Sequence, residues 1–186
     1  RNRLGGRTFD TEWNGHHIEM GGAWVHWFQP GTWSEINRYG LEIIETPGYA
    51  AERLIVRGDD FFLDTPYARV AGELAAAGDA YFADARAIWD RPWNTHFHWD
   101  QILAKDFLTT LDRLRQIKTT DLQRHALIAM METCAHCPID RGSYLEMARW
   151  YALSGWDWGL FNDTISRYQI KKGTGELPGV IYEEIT

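Results

Sequence analysis

No apolar run in this 186-residue chain approaches the length of a membrane-crossing helix, and its first residues are too charged for a secretory leader. A membrane-embedded chain is not expected. Positive charge is not in excess either. Nineteen lysines and arginines face 26 aspartates and glutamates, a formal net charge of -7, which argues against nucleic acid as the partner. No internal repeat or low-complexity linker occurs, and neither a Ser-His-Asp set nor a paired-carboxylate constellation stands out. Cysteine is scarce. The only two form Cys134-Ala135-His136-Cys137, and Pro138 in place of a histidine excludes haem attachment. A redox pair or half of a zinc site, completed by His96 and His98, remains open for them. Packing as two small apolar core residues is the simpler reading.

Tryptophan, by contrast, is abundant: ten residues, with Trp24, Trp27 and Trp33 close together in a glycine-containing stretch. Most tryptophans serve a core, but this cluster suits the flat wall of a pocket. Arginine and glycine concentrate at the start, in Arg1-Asn2-Arg3-Leu4-Gly5-Gly6-Arg7. Glycines let the backbone approach a phosphate closely, and guanidinium groups offer forked donors to it. Arg7 could instead pair with Glu12 or Glu19 on the surface. A second glycine pair opens Gly21-Gly22-Ala23-Trp24-Val25-His26-Trp27, where His26 could serve a ligand or hold the loop backbone.

Residues 8–12 and 16–19 alternate around Asn14-Gly15, a strong hairpin signal. Thr32 or Ser34 is expected to cap a short helix through Tyr39, stopped by Gly40. Strands are expected over residues 41–45, 53–56 and 61–63. Residues 67–89 read as one helix, with further helices over 100–105, 107–116, 121–135 and 143–153. Asp100 reads as a cap. Residues 167–170 suggest a strand, 173–175 a glycine turn and 176–185 a helix. The expected fold class is therefore α+β: short β-hairpins with a mainly helical middle.

Arg3-Leu4-Gly5-Gly6-Arg7-Thr8, the Asn14-Gly15 hairpin, Glu19-Met20-Gly21-Gly22-Ala23-Trp24-Val25 and Gln29-Pro30 together resemble the flavin-containing amine oxidases. With Trp33-Ser34-Glu35 and Arg38-Tyr39-Gly40-Leu41 added, the stretch is most similar to the bacterial nicotine and pseudooxynicotine oxidase branch. Gly155-Trp156 and Tyr168-Gln169-Ile170 ahead of Gly173-Thr174 resemble the family's return from substrate domain to flavin domain.

The resemblance implies partial segments of a Rossmann-type FAD-binding domain at residues 1–40 and 167–186, around a substrate-binding domain at 41–166. It implies FAD as cofactor, held by Arg1, Leu4, Gly5, Gly6 and Arg7, with Gly22, Ala23, Trp24 and Val25 beside the flavin ring. Trp24, Thr133, Cys134 and Ser166 would line the substrate cavity, and no residue is assigned a catalytic role. The activity implied is oxidation of a small amine to an imine, followed by hydrolysis. The family's dinucleotide glycine turn and its C-terminal flavin contacts have no counterpart here, and Lys172 replaces one glycine of the return turn. The chain thus reads as truncated at both ends and inactive alone, with the rest of the flavin domain as a partner, supplied for instance by another chain. A soluble cytoplasmic or periplasmic protein is expected, and a homo-oligomer is left open. The alternative is an isolated, non-catalytic domain that binds an amine or a partner but no flavin.

Overall fold

The computed structural model describes residues 3–46 and 49–186. The fold is α+β: short two-stranded antiparallel sheets among helices. It divides into two compact units, the second (residues 50–161) inserted between the two stretches of the first (1–49 and 162–186). Residues 41–49 and 162–166, assigned to the substrate-binding stretch on sequence, thus fall in the first unit.

In the first unit, β1 (Asp10–Trp13) and β2 (His16–Glu19) pair in antiparallel register from Asp10↔Glu19 to Trp13↔His16. Asn14 and Gly15 both take positive φ, as a two-residue hairpin of this twist requires. Helix α1 (Pro30–Arg38) begins two residues before Thr32, because Pro30 presets the helical φ at the first position. Ser34 does not cap it; its hydroxyl donates back to the Gly31 carbonyl at 2.9 Å. Gly40, at φ +63°, ends the turn as expected. Strand β3 (Ile43–Glu45) then pairs with β6 (Tyr168–Ile170). Val25, Ile36 and Ile170 form the core, with Trp33, Leu41, Ile43, Tyr168 and Leu177 packed around them. Arg167 donates to Glu45 at 2.8 Å and to Asp163 at 2.9 Å, and Lys171 bonds Glu42 at 2.8 Å. Helix α9 (Glu176–Ile185) spans the expected residues.

The second unit opens with β4 (Arg53–Arg57) paired to β5 (Phe62–Pro66). Val56 of this hairpin packs with Leu74 of α2 (Tyr67–Tyr81) and Leu122 of α6 (Asp121–Ala135). The helix expected over 67–89 is two helices, α2 and α3 (Ala85–Ile88). The break lies where Phe82 turns inward to stack on Tyr151 at 4.4 Å, and where Asp84 is held by tertiary partners. Helices α4 (Trp99–Leu103), α5 (Thr110–Arg115) and α7 (Tyr144–Leu153) follow sequence expectation closely. Reciprocal capping boxes, Thr109 with Asp112 and Thr120 with Gln123, start α5 and α6. Asp100 does not cap α4: it lies in the first turn, behind an N-cap at His98.

Helix α8 (Trp158–Ser166) has no counterpart among the expected elements, and the boundary between the units falls within it. Asp157 accepts a bond from Leu160 N–H at 2.8 Å, the work of an N-terminal cap. Trp158 lies flat on α2 at Gly78, where a Cβ would stand 2.0 Å from the indole.

Asp84 anchors this unit's interior. Burial works against its carboxylate, yet the Tyr144 hydroxyl, the Lys105 ammonium and the Arg113 guanidinium outweigh burial and hold it below the usual carboxylate range. With the folded value below the unfolded one of about 3.9, this contribution is present above that pH and lost as pH falls through the folded value. Tyr144→Phe is therefore expected to cost about 1–3 kcal/mol at neutral pH. Urea unfolding at neutral and acid pH checks it: the deficit should shrink once Asp84 is protonated.

Candidate functional site

The candidate site in the first unit is built where the glycine-arginine loop meets the second glycine pair. Gly5 and Gly6 take φ +86° and +56°, left-handed conformations that turn the chain before Arg7. Thr8 closes this turn, its N–H donating to Gly5 O at 3.0 Å and its hydroxyl to the same oxygen at 2.9 Å. The Arg3 guanidinium folds back on the Gly6 carbonyl at 2.7 Å, leaving Arg7 as the outward cation. Arg7 is exposed, and among the described residues it has no ion-pair partner, so the alternative pairing with Glu12 or Glu19 is not adopted.

The Arg7 carbonyl accepts from Gly22 N–H at 3.1 Å, and Met20 N–H donates to Phe9 O at 2.7 Å. These bonds extend the hairpin and lay the glycine pair against the arginine loop. The approach at Gly21 is very close: a Cβ there would stand 1.9 Å from the Arg7 carbonyl oxygen. Beyond it, burial alternates. Ala23 and Val25 are buried while Trp24 between them is 44% exposed. Val25 N–H donates to Tyr168 O at 2.9 Å and Trp24 bridges to Gln169, so β6 fixes which side chain faces out. The exposed indole is oriented by Trp24 Nε1–H donating to Thr46 Oγ1 at 3.2 Å.

Glu19 and Thr174 form a clamp beneath the candidate site that sequence reasoning passed over. Glu19 accepts from Thr174 N–H at 2.8 Å and from its hydroxyl at 3.1 Å, and that hydroxyl also bonds the Gly22 carbonyl. The return turn is thereby fastened to Glu19, 155 residues away in sequence, and to Gly22. The available signal was an acid placed just before one glycine turn and a threonine inside another. Lys172 needs no glycine-like backbone, since the positive φ of +95° falls on Gly173, and its ammonium bonds Glu176 at 3.0 Å.

His26 is fully buried against Trp27, with ring centroids 3.7 Å apart. Its Nδ1 accepts from Phe28 N–H at 3.2 Å, which places the hydrogen of the neutral ring on Nε2 and gives the residue a role in holding the loop. Burial lowers its pKa, Asp163 acts in the raising direction and Arg167 again lowers it. The neutral imidazole is thus the folded form, and acid destabilises it.

The other assigned residues fall partly in each unit. Leu4 is exposed beside the turn, whereas Arg1 lies outside the described residues. Ser166, near the end of α8 in the first unit, donates to the Asn162 carbonyl at 2.8 Å. Thr133 and Cys134 belong to α6 in the second unit. Thr133 bonds the Ala129 carbonyl at 2.8 Å, and burial pushes the Cys134 thiol up to about 11, which keeps it protonated and unreactive. His98 pairs with Asp90 at 3.2 Å. Among the described residues, no helix is long and apolar enough to cross a membrane.

Comparison with known proteins gives a consistent result. The family profile for flavin containing amine oxidoreductase matches residues 1–143. The chain is 36% identical to a pseudooxynicotine dehydrogenase of Pseudomonas sp. over 178 residues, covering 95% of this chain and 36% of that protein. It is 31% identical to the nicotine dehydrogenase of Pseudomonas putida over 175 residues, 94% of this chain and again 36% of the relative. The chain therefore spans about a third of the length of these relatives. Among solved structures it is similar to a putrescine oxidase triple mutant (TM-score 0.72, 20% identity) and to cyclohexylamine oxidase from Brevibacterium oxydans (TM-score 0.70, 17% identity). Each alignment covers all of this chain and 42% of the other. The chain belongs to the flavin-containing amine oxidoreductases, with relatives in the nicotine and pseudooxynicotine branch.

The two adjacent glycines predict opposite outcomes. Gly21→Ala forces the added methyl against the Arg7 backbone and is expected to cost roughly 1–3 kcal/mol. Gly22→Ala meets open space and should shift stability by no more than about 0.5 kcal/mol. Chemical denaturation of both variants decides the matter, and equal losses would contradict the close approach.

Proposed function

We propose that this member of the flavin-containing amine oxidoreductases supplies part of the FAD grip and part of the substrate cavity of an amine oxidase. The observation that carries the reading is the junction of Arg7 with Gly22, through a 3.1 Å backbone bond, beside an arginine side chain left without an ion-pair partner. An unpaired guanidinium next to two left-handed glycines fits a pyrophosphate, the only multiply charged group of FAD. In this reading Leu4, Gly5, Gly6 and Arg7 follow the pyrophosphate, and Arg1, outside the described residues, is assigned to the adenosine ribose side. Gly22, Ala23, Trp24 and Val25 pass beside the ring. Residues 1–40 and 167–186 serve the Rossmann-type flavin domain, and 41–166 the substrate domain.

When bound, the flavin supplies the acceptor for the hydride equivalent that leaves the carbon next to the amine nitrogen. The chain's own residues have different tasks. Ala23 and Val25, being buried, hold the backbone in place, so that Trp24 presents its indole as a fixed wall. An apolar aromatic wall excludes water and disfavours the ammonium, so the amine is held neutral with its lone pair free. Thr133, Cys134 and Ser166 are proposed as further cavity positions. The imine product is released to hydrolysis. Relatives named for nicotine and pseudooxynicotine support an amine with an aromatic substituent as substrate.

Two substitutions test the division of labour in the flavin-loaded protein. Arg7→Ala is expected to lower flavin content, read from the visible absorbance of the purified protein, with little change in relative preference among amines. Trp24→Ala should retain the flavin and shift the ratio of kcat/KM between aromatic and aliphatic amines by about 10-fold or more. Full flavin retention in Arg7→Ala would overturn the pyrophosphate assignment. A colourless protein that takes up no added FAD would favour the non-catalytic alternative for the chain by itself.

A further inference from the structure

The β1–β2 hairpin carries a set of metal-type side chains that the flavin reading does not use. Antiparallel register sets Asp10 opposite Glu19 and Glu12 opposite His17, so all four share one face. His17 Nε2 lies 3.8 Å from Asp10 Oδ2 and 3.6 Å from Glu19 Oε1. One ligand atom from each of Asp10, His17 and Glu19 falls within 4.8 Å of the other two. Zinc bonds nitrogen and oxygen at about 2.0–2.2 Å, so tetrahedral ligands sit roughly 3.3 Å apart. The two histidine gaps need to close by about 0.3–0.5 Å, and the Asp10–Glu19 gap, within 4.8 Å, by up to about 1.5 Å.

Charge and space favour a cation as well. Among the described residues, His17 is the only ion-pair partner of either carboxylate. The neighbouring turn leaves room for convergence because it is built of glycine. A Cβ at Gly173 would stand 2.0 Å from Asp10 Oδ2 and 2.6 Å from His17 Nε2, and one at Gly175 would stand 2.4 Å from Asp10 Oδ1. A side chain at Gly173 would intrude on both Asp10 and His17, and one at Gly175 on Asp10. The His17 and Asp10 side chains are 37% and 25% exposed, so an ion can enter from solvent.

We propose that Asp10, His17 and Glu19 form a binding site for a zinc-class divalent cation, with water completing the coordination. One imidazole and two carboxylates suit a first-row transition ion; calcium would require six or more oxygens and magnesium an oxygen-only shell. Glu19 is shared between the cation and the Thr174 backbone, so occupancy of the site bears directly on the return turn.

An ion pair of His17 with the two carboxylates would occupy the same geometry without metal, and a metal-binding measurement separates the two. Equilibrium dialysis of the full chain against Zn²⁺, followed by metal analysis, is expected to give one bound equivalent. His17→Ala and Asp10→Asn should each weaken binding by at least the roughly 10- to 100-fold that loss of an outer-shell partner costs. Replacing Cys134 and Cys137 by serine should leave it unchanged. X-ray absorption of the zinc-loaded wild type serves if a hairpin variant fails to fold: a shell of nitrogen and oxygen supports the site, and a sulfur ligand overturns it. Absence of stoichiometric binding, or binding that survives His17→Ala in a folded variant, also overturns it.

Discussion

The first unit depends on one constraint: two stretches separated by the whole of residues 50–161 must return to each other. Closing a loop of that length costs on the order of 4 kcal/mol in chain entropy. The polar contacts at the closure are too weak to meet this alone. Arg167 with Glu45 and Lys171 with Glu42 are largely exposed pairs, each worth roughly 0.2–1 kcal/mol. Burial of Val25, Ile36 and Ile170, at about 1.5–3 kcal/mol per large side chain, is of the required size. Apolar packing therefore closes the loop. The ion pairs, with Glu19 on Thr174, select the register in which it closes.

The second unit solves a different problem. Its interior is aromatic, with Tyr81, Phe82, Tyr144, Tyr151 and Phe161 packed at edges and faces. Tyrosines bring hydroxyls into that interior, and each must find a partner. Tyr81 donates to the Thr110 carbonyl at 2.9 Å, Tyr151 to Asp79 at 3.1 Å, and Tyr144 to Asp84. Asp84 in turn requires Lys105 and Arg113 to remain charged. The break between α2 and α3 follows from this arrangement rather than from any helix-breaking residue.

Local signals were legible wherever local physics decides. Asn14-Gly15 specified the hairpin, and the helices expected over residues 121–135 and 176–185 are α6 and α9. Gly5 and Gly6 adopt a left-handed turn that glycine's backbone freedom makes possible. Helix α8 was hidden because Gly159 and the β-branched Thr164 and Ile165 have low helix propensity; the Asp157 cap and burial of Phe161 override them. The Glu19–Thr174 clamp was passed over, because an acid before one glycine turn and a threonine inside another do not by themselves say that the two meet once the chain has returned. The same holds for Asp84.

What the fold leaves over defines the candidate site. Several polar groups along residues 3–25 are consumed in holding the structure: Arg3 on Gly6, Thr8 on Gly5, Glu19 on Thr174. Arg7 is the cation with no such task, and Trp24 the large aromatic whose neighbours are buried while it is not. Exposing an indole and leaving a guanidinium unpaired do nothing for stability. Both stand on backbone fixed by close contacts, at Gly21 and at β6, that tolerate little displacement. Rigid support beneath groups that contribute little to folding is the arrangement expected where a ligand, rather than the protein itself, completes the interactions.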